Sequence, residues 1–149
     1  MNQIELATLA GFFAGEGSLT ISGGKLPTLY AAVGNTERIW IDLFHSNFDG
    51  TWYIEKPKYQ GAKNIFRWRV AGNHAVKFLT AIQPYLVGEK AGQLNLALKF
   101  QSIKNKIENR NAGFSTETRL ELDKCREELR NLRRTAAETN RRDATPLAK

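Results

Sequence analysis

The chain has 149 residues, a length that suits one globular domain over residues 1–149 and is too short for two ordinary ones. Lys and Arg outnumber Asp and Glu by 22 to 15, and the resulting net charge of +7 favours a polyanionic partner over a cationic one. Hydrophobic residues make up 42% of the sequence, which excludes a disordered basic tail, and a single cysteine, Cys125, excludes disulfide scaffolds and cysteine-based zinc fingers.

The N-terminal segment predicts an apolar helix over residues 3–15 that ends in Gly15-Glu16-Gly17, because glycines mark helix ends. No basic segment precedes the apolar run from Leu6 to Ala14, and the run is too short to cross a membrane. We therefore expect an intracellular protein, in the cytoplasm or an organelle matrix, with no membrane partner.

The next segment predicts a β-hairpin that leads into a helix. Residues 18–22 alternate polar and apolar side chains, and residues 29–33 form the returning strand after a glycine turn. Asn35 or Thr36 is the expected N-cap of the helix, which ends at the break over residues 47–50.

The same order of elements then occurs again, without sequence identity between the two copies. Residues 51–56 and 65–70 predict a second hairpin with its loop at 57–63. A helix from residue 72 ends at Pro84, and another is predicted over residues 90–108.

After a polar break over residues 109–116, residues 117–138 predict a long charged helix with a narrow apolar seam that buries Cys125. The tail after about residue 140 lacks periodicity and should fray. The order α-β-β-α-β-β-α-α-α predicts an α+β fold in which a four-stranded antiparallel sheet carries helices on one face.

Positive charge is concentrated in the middle of the chain. Residues 1–50 hold two basic and five acidic residues, whereas residues 51–110 hold eleven basic and three acidic residues. Residues 111–149 add nine basic and seven acidic residues. The surface that meets a polyanion should therefore lie mainly on the second hairpin and on the helix that begins at Lys90.

The most informative stretch is residues 9–17, which read LAGFFAGEG. Ala7, Gly11 and Gly15 recur at every fourth position, so one helix face lacks large side chains and suits close packing against an identical helix. Such a face closes as a two-fold dimer, and these three residues are the predicted dimer interface. The dimer would bring two Glu16 carboxylates together, and these repel each other unless protons or cations neutralise them. At neutral pH we expect a divalent cation in that position, and hard oxygen ligands suit Mg²⁺.

This nonapeptide closely resembles the signature of the LAGLIDADG homing endonucleases, in their single-motif, homodimeric type. The resemblance implies an intron-encoded, site-specific endonuclease that hydrolyses double-stranded DNA at a pseudo-palindromic target with Mg²⁺, or with Mn²⁺ as a substitute. It further implies that Glu16 is catalytic and that Glu16 and Gly15 bind the metal. Ala14 stands where the family has its other acidic residue.

The resemblance continues in weaker form to about residue 110. Residues 83–86 read QPYL, and Lys90 then falls where the family has its active-site lysine. The implied catalytic role of Lys90 is to position water and stabilise charge on the phosphate, and the alternative is a solvated lysine at a helix start. The family's polar residue after the second strand corresponds to Gly34, with Asn35 beside it.

A twisted antiparallel sheet can lie in the major groove of DNA and present side chains to base edges. In the fourth strand Phe66, Trp68 and Val70 should face the core, which sends the arginines between them outward. The facing of the third strand stays open because residues 52–54 are all large. The predicted DNA-binding residues are Ser18, Thr20, Ser22, Lys25, Arg38, Lys56, Lys58, Lys63, Arg67 and Arg69.

Two other functions fit the same residues. One is a non-cleaving nucleic-acid-binding protein of the same fold, such as an intron-splicing maturase or a regulator, and Ala14 favours it, whereas Glu16 and Lys90 favour cleavage. The other is a basic structural protein whose first helix packs only within the monomer.

Overall fold

A computed structural model describes residues 1–106 and 113–144 of the chain. The predicted order of helices and strands is confirmed, with one turn of 3-10 helix added at Gln83–Tyr85, where Pro84 interrupts the preceding helix. The elements are α1 (Gln3–Glu16), β1 (Gly17–Ile21), β2 (Leu29–Asn35), α2 (Arg38–Phe48), β3 (Thr51–Glu55), β4 (Ile65–Ala71), α3 (Gly72–Ile82), α4 (Glu89–Asn105) and α5 (Thr116–Asp143).

The start of α2 differs from the prediction. Neither Asn35 nor Thr36 is its N-cap: Glu37 holds that position, without a side-chain hydrogen bond, and the helix begins at Arg38. Asn35 still belongs to β2, where it pairs with Phe66, and its Oδ1 accepts a hydrogen bond from the Glu37 backbone N–H at 2.8 Å. The asparagine therefore stabilises the turn before the helix, because the strand extends two residues further than its alternation suggested.

The C-terminal helices also have different bounds. The long helix α5 covers Thr116–Asp143, so it continues into the tail that was expected to fray after residue 140. The predicted end of α4 near Glu108 lies outside the described residues, as do residues 145–149 of the tail. No helix within the described ranges is long and apolar enough to span a membrane.

The four strands form one antiparallel sheet in the order β1-β2-β4-β3. Cross-strand partners share a face of the sheet, so the register assigns each residue to one side. The inner face, which packs against helices, comprises Leu19, Ile21, Leu29, Ala31, Val33, Trp68 and Val70, all buried. The outer face comprises Ser18, Thr20, Tyr30, Ala32, Gly34, Thr51, Tyr53, Glu55, Ile65, Arg67 and Arg69, all half-buried or exposed.

Aromatic rings join the helices to the inner face. The ring of Phe78, on α3, lies 5.1 Å from the rings of both Phe13 and Trp68 and 4.8 Å from that of Phe48, centroid to centroid. The indole N–H of Trp68 donates to the Asp49 carbonyl at 2.6 Å, so this buried tryptophan keeps no unpaired donor. These contacts hold α1, α2 and α3 against one side of the sheet and leave the other side to solvent.

We expect Phe78→Ala to lower the free energy of unfolding by about 3–5 kcal/mol, because it removes a fully buried ring at the centre of this cluster. Denaturant titration followed by circular dichroism measures the change. Thr80→Ala, at an exposed position of the same helix, is the matched control and should change stability by less than about 0.5 kcal/mol. Equal losses from both variants would contradict the assignment of Phe78 to the core.

Candidate active site and nucleic-acid interface

The first helix passes directly into the first strand, with no intervening loop. Helix α1 ends at Glu16 and β1 begins at Gly17, whose N–H donates to the Phe13 carbonyl. A Cβ at Gly17 would lie 2.3 Å from the Phe13 ring, so only glycine fits this junction. Glu16 is exposed there and has no hydrogen-bond or ion-pair partner within the described part of the chain.

Lys90, in the first turn of α4, reaches the same junction. Its Nζ donates to the Gly17 carbonyl at 2.6 Å and lies 5.9 Å from the centre of the Phe13 ring. Burial, and secondarily the nearby Arg133 guanidinium, lower the pKa of Lys90, whereas Glu89 opposes the shift. Lys90 thus contacts Gly17, the residue that follows Glu16, although the two are 73 positions apart in sequence.

A cleft of about 360 Å³ opens beside this junction, between the end of α1, the start of α4 and the C-terminal half of α5. Gly15 and Ser18 line one side, Lys90 lies at its base, and Arg133 and Asn140 line the α5 side. Arg133 is not among the predicted site residues, because the glutamates of the same helix favour pairing along it, with contact to the DNA backbone as the alternative at its end. One such pair does form, between Arg130 and Glu127 at 3.3 Å.

The small-residue face of α1 is uncovered in the single chain. Ala7, Gly11 and Gly15 are exposed, and no heavy atom lies within 4 Å of the Cβ position at either glycine. Ile4, at the start of the same helix, is 79% exposed. The residues predicted to form a dimer interface therefore lie at the surface, immediately before Glu16.

Four of the predicted DNA-binding residues share the outer face: Ser18, Thr20, Arg67 and Arg69. The Arg69 guanidinium lies 4.5 Å from the centre of the Tyr30 ring, which stacks against it from the neighbouring strand. Arg67 instead forms an ion pair with Glu55. The outer face thus carries two cationic groups that neighbouring side chains hold in place.

The remaining predicted contacts lie at the two ends of this face. Ser22 closes the first hairpin, since its Oγ accepts a hydrogen bond from the Thr28 N–H at 2.9 Å, and Lys25 is exposed at the tip of that loop. Because β4 runs antiparallel to β2, the second hairpin loop lies at the opposite end of the sheet. Its exposed lysines are Lys56, Lys58 and Lys63.

Arg38 is separate from this set. Its guanidinium lies 4.9 Å from the centre of the Trp52 ring and its Nε lies 3.4 Å from Asp42. Trp52 pairs with Trp68 across the sheet, so Arg38 lies at the edge of the helix-covered side.

The same register resolves the facing of β3. Trp52 and Ile54 lie on the inner side of this edge strand, where they remain 36% and 47% exposed. Tyr53 faces outward.

We expect NMR titration of the lysine side-chain amines to find the pKa of Lys90 below its ordinary range, as burial requires. Arg133→Gln should raise this pKa, because it removes a neighbouring positive charge. Arg130→Gln, on the same helix but paired with Glu127, is the control and should not change it. Since the folded state holds this proton less tightly than the unfolded chain, stability should rise with pH between the lowered pKa and 10.5.

No protein-family model and no curated protein matches the sequence. Its three-dimensional structure, however, is similar to several solved homing endonucleases. The homing endonuclease I-CvuI, in complex with a DNA target, has a TM-score of 0.69 and 16% identity over 87% of this chain and 82% of that chain. The homing endonuclease I-TnaI has a TM-score of 0.67 and 13% identity over 89% of this chain and 96% of that chain.

The LAGLIDADG meganuclease I-AabMI, bound to uncleaved DNA, has a TM-score of 0.64 and 19% identity over 85% of this chain. The match covers 44% of that chain, so the present chain spans about half the length of I-AabMI. Together with the four-stranded sheet and the Glu16 junction, these similarities lead to one conclusion: this chain has the LAGLIDADG homing-endonuclease fold.

Proposed function

We propose that two copies of this chain form a site-specific double-strand DNA endonuclease. The observation that carries the proposal is the hydrogen bond from Lys90 to the carbonyl of Gly17, the residue after the exposed Glu16, at one end of a sheet with arginines on its outer face. The fold is similar to that of DNA-bound homing endonucleases. Another LAGLIDADG homing endonuclease of similar structure, I-SmaMI, is described bound to cleaved DNA. A carboxylate can hold a metal ion, and an ammonium group can offset the charge that develops on the phosphate during hydrolysis. A basic surface binds the DNA that carries this phosphate.

Two features support a homodimer as the working unit. The exposed face of α1 has room at Gly11 and Gly15 for a second helix to approach closely. The match to I-AabMI covers 44% of that chain, so a second copy of the present chain would supply a comparable second half. In a two-fold dimer built on this face, each chain reads one half-site of a pseudo-palindromic target.

A divalent cation fits this arrangement only between two chains. The described residues contain no group of three or more His, Cys, Asp and Glu side chains that could hold a metal in one chain. The exposed Glu16 carboxylate and the Gly15 carbonyl at the helix end are hard oxygen donors of the type that Mg²⁺ or Mn²⁺ binds, and the dimer doubles them. When bound, such an ion neutralises charge at the phosphate and makes water more acidic.

The remaining groups of the site act on the DNA and on protons. Lys90 already donates one hydrogen bond to the Gly17 carbonyl, which orients its other N–H groups toward the open cleft. Its lowered pKa makes this ammonium group a better proton donor to a developing alkoxide than an ordinary lysine. Arg69 and the hairpin lysines contact the DNA along the outer face, the lysines at phosphates and the arginine at base edges.

A non-cleaving nucleic-acid-binding protein is the second candidate. Ala14 favours it, because this half-buried alanine lines the cleft beside Gly15 and offers no carboxylate there. The two candidates differ in one measurable property, metal-dependent strand cleavage.

We expect Glu16→Gln to abolish cleavage and to leave DNA affinity within a few-fold, because it removes the ligand charge while keeping the size of the side chain. The assay incubates the protein with a randomised duplex library and Mg²⁺, sequences the cut ends, and repeats the reaction on the recovered duplex. Glu121→Gln, at an exposed position of α5, controls for the loss of one negative charge. Wild-type rates in Glu16→Gln would show that the assignment of Glu16 is wrong, and binding without cleavage by the wild type would support the second candidate.

We expect Gly11→Leu to convert the dimer to monomer and to abolish cleavage without unfolding the chain, because the new side chain projects into open space in the monomer. Analytical ultracentrifugation at micromolar concentration measures the oligomeric state, and circular dichroism measures the fold. Gly92→Leu is a matched control, since this helical glycine also has no heavy atom within 4 Å of its Cβ position. A dimer that persists in Gly11→Leu would place the interface elsewhere.

A further inference from the structure

The register of the sheet places Gly34 and Arg67 near the end of α1. Gly17, the residue after Glu16, pairs with Val33, and Gly34 is the next residue along that strand. Gly34 in turn pairs with Arg67 of β4. On the outer face, Gly34 is therefore the residue of β2 that lies between Arg67 and the start of β1, and it has no side chain.

The Arg67 side chain occupies the space above Gly34. A Cβ at Gly34 would lie 2.8 Å from Nη1 of Arg67 and 3.4 Å from its Cζ, so the guanidinium covers this position closely. Because β2 lies between β4 and β1, the side chain extends from its own strand in the direction of β1, which begins directly after Glu16. A side chain at position 34 would prevent this path.

Glu55 holds Arg67 from the opposite side. It lies on β3, diagonal to Arg67 on the outer face, and its carboxylate accepts a hydrogen bond from Nε of the guanidinium. The bond uses the Nε edge and leaves the terminal Nη groups directed across β2. Both side chains keep more than a third of their surface exposed, at 38% for Arg67 and 39% for Glu55, so the guanidinium remains accessible to a ligand.

Arg69 has a different environment although it is only two residues away on the same strand and face. It stacks on Tyr30 rather than pairing with a carboxylate, and its cross-strand partner is Ala32, further from the end of α1. The two arginines are thus directed to different parts of a polyanion bound on the outer face.

We propose that Arg67 binds the DNA phosphodiester at the Glu16 site, and that Glu55 is the positioning residue that directs it there. This inference rests on the proposed endonuclease function and assigns Arg67 to the phosphate rather than to a base edge. A guanidinium donates two parallel hydrogen bonds to non-bridging phosphate oxygens, and its charge opposes the negative charge that builds up there during cleavage. With Glu55 and Gly34 fixing its path, little conformational entropy is lost when the phosphate binds.

The test separates cleavage from binding on a duplex recovered by wild-type cleavage of a randomised library. With enzyme in excess, Arg67→Gln should reduce the single-turnover cleavage rate by about 10²-fold or more and raise Kd less than about 10-fold. Gly34→Ala should reduce the same rate by about 10-fold, because its methyl group displaces only the flexible end of Arg67 and leaves the fold intact. Lys77→Gln, an exposed charge on α3, controls for the loss of one positive charge.

A second readout does not depend on activity. A neutral methylphosphonate at the cleaved linkage should weaken binding by the wild type and have less effect on binding by Arg67→Gln, because the two changes remove the same contact. For Glu55→Gln we expect a slower rate with the recognised sequence unchanged, as a positioning role requires.

The inference is overturned if Arg67→Gln cuts at the wild-type rate once saturated, or if its main effect is a changed base preference at one position of the target. Additive effects of Arg67→Gln and the methylphosphonate would also contradict it. If the wild-type protein binds the library without cutting it, the proposed endonuclease function fails first, and that result is distinct from any of these.

Discussion

The structure depends on the direct junction between α1 and β1 at Gly17. The Phe13 ring fills the volume that any other side chain would need there, so the helix can enter the sheet without a loop only because residue 17 is glycine. The same residue then offers its carbonyl to Lys90, which ties α4 to the junction. As a result Glu16 lies exposed at the start of the sheet, one residue before the carbonyl that Lys90 binds.

The two faces of the sheet have different roles: the inner face packs against the helices, and the outer face carries the oriented arginines. On the inner face Trp68 and the aromatic rings of α1, α2 and α3 form a packed core that holds the sheet against these helices. On the outer face neighbouring side chains orient the arginines, Glu55 for Arg67 and Tyr30 for Arg69. Groups that are oriented before a ligand arrives bind it at a lower cost in conformational entropy. The packed inner face and the oriented arginines of the outer face therefore both favour the binding of a ligand on the outer face.

Much of the fold was predictable because alternation and helical spacing are local properties. The pattern of β4 assigned Trp68 inward and Arg69 outward, and the structure agrees. The local pattern could not predict which side of the sheet residues 52–54 face, because all three are large. Only the pairing of β3 with β4 assigned their faces. For Arg38 the local pattern did not show which groups surround it, and the structure places its guanidinium over Trp52 at the edge of the helix-covered side. Asn35 looked like a helix cap, yet β2 extends through it.

The sequence by itself determined the order of the elements, the facing of β1 and β4, the small-residue helix and the acidic residue at its end. Those features follow from spacing within one segment, and spacing can be read directly. Only the tertiary structure decided which distant residues meet: Lys90 at the Gly17 carbonyl, Arg133 beside Lys90, and Arg67 above Gly34. Strand register and helix packing determine these tertiary contacts. Both result from the summed burial of the whole core rather than from any local pattern.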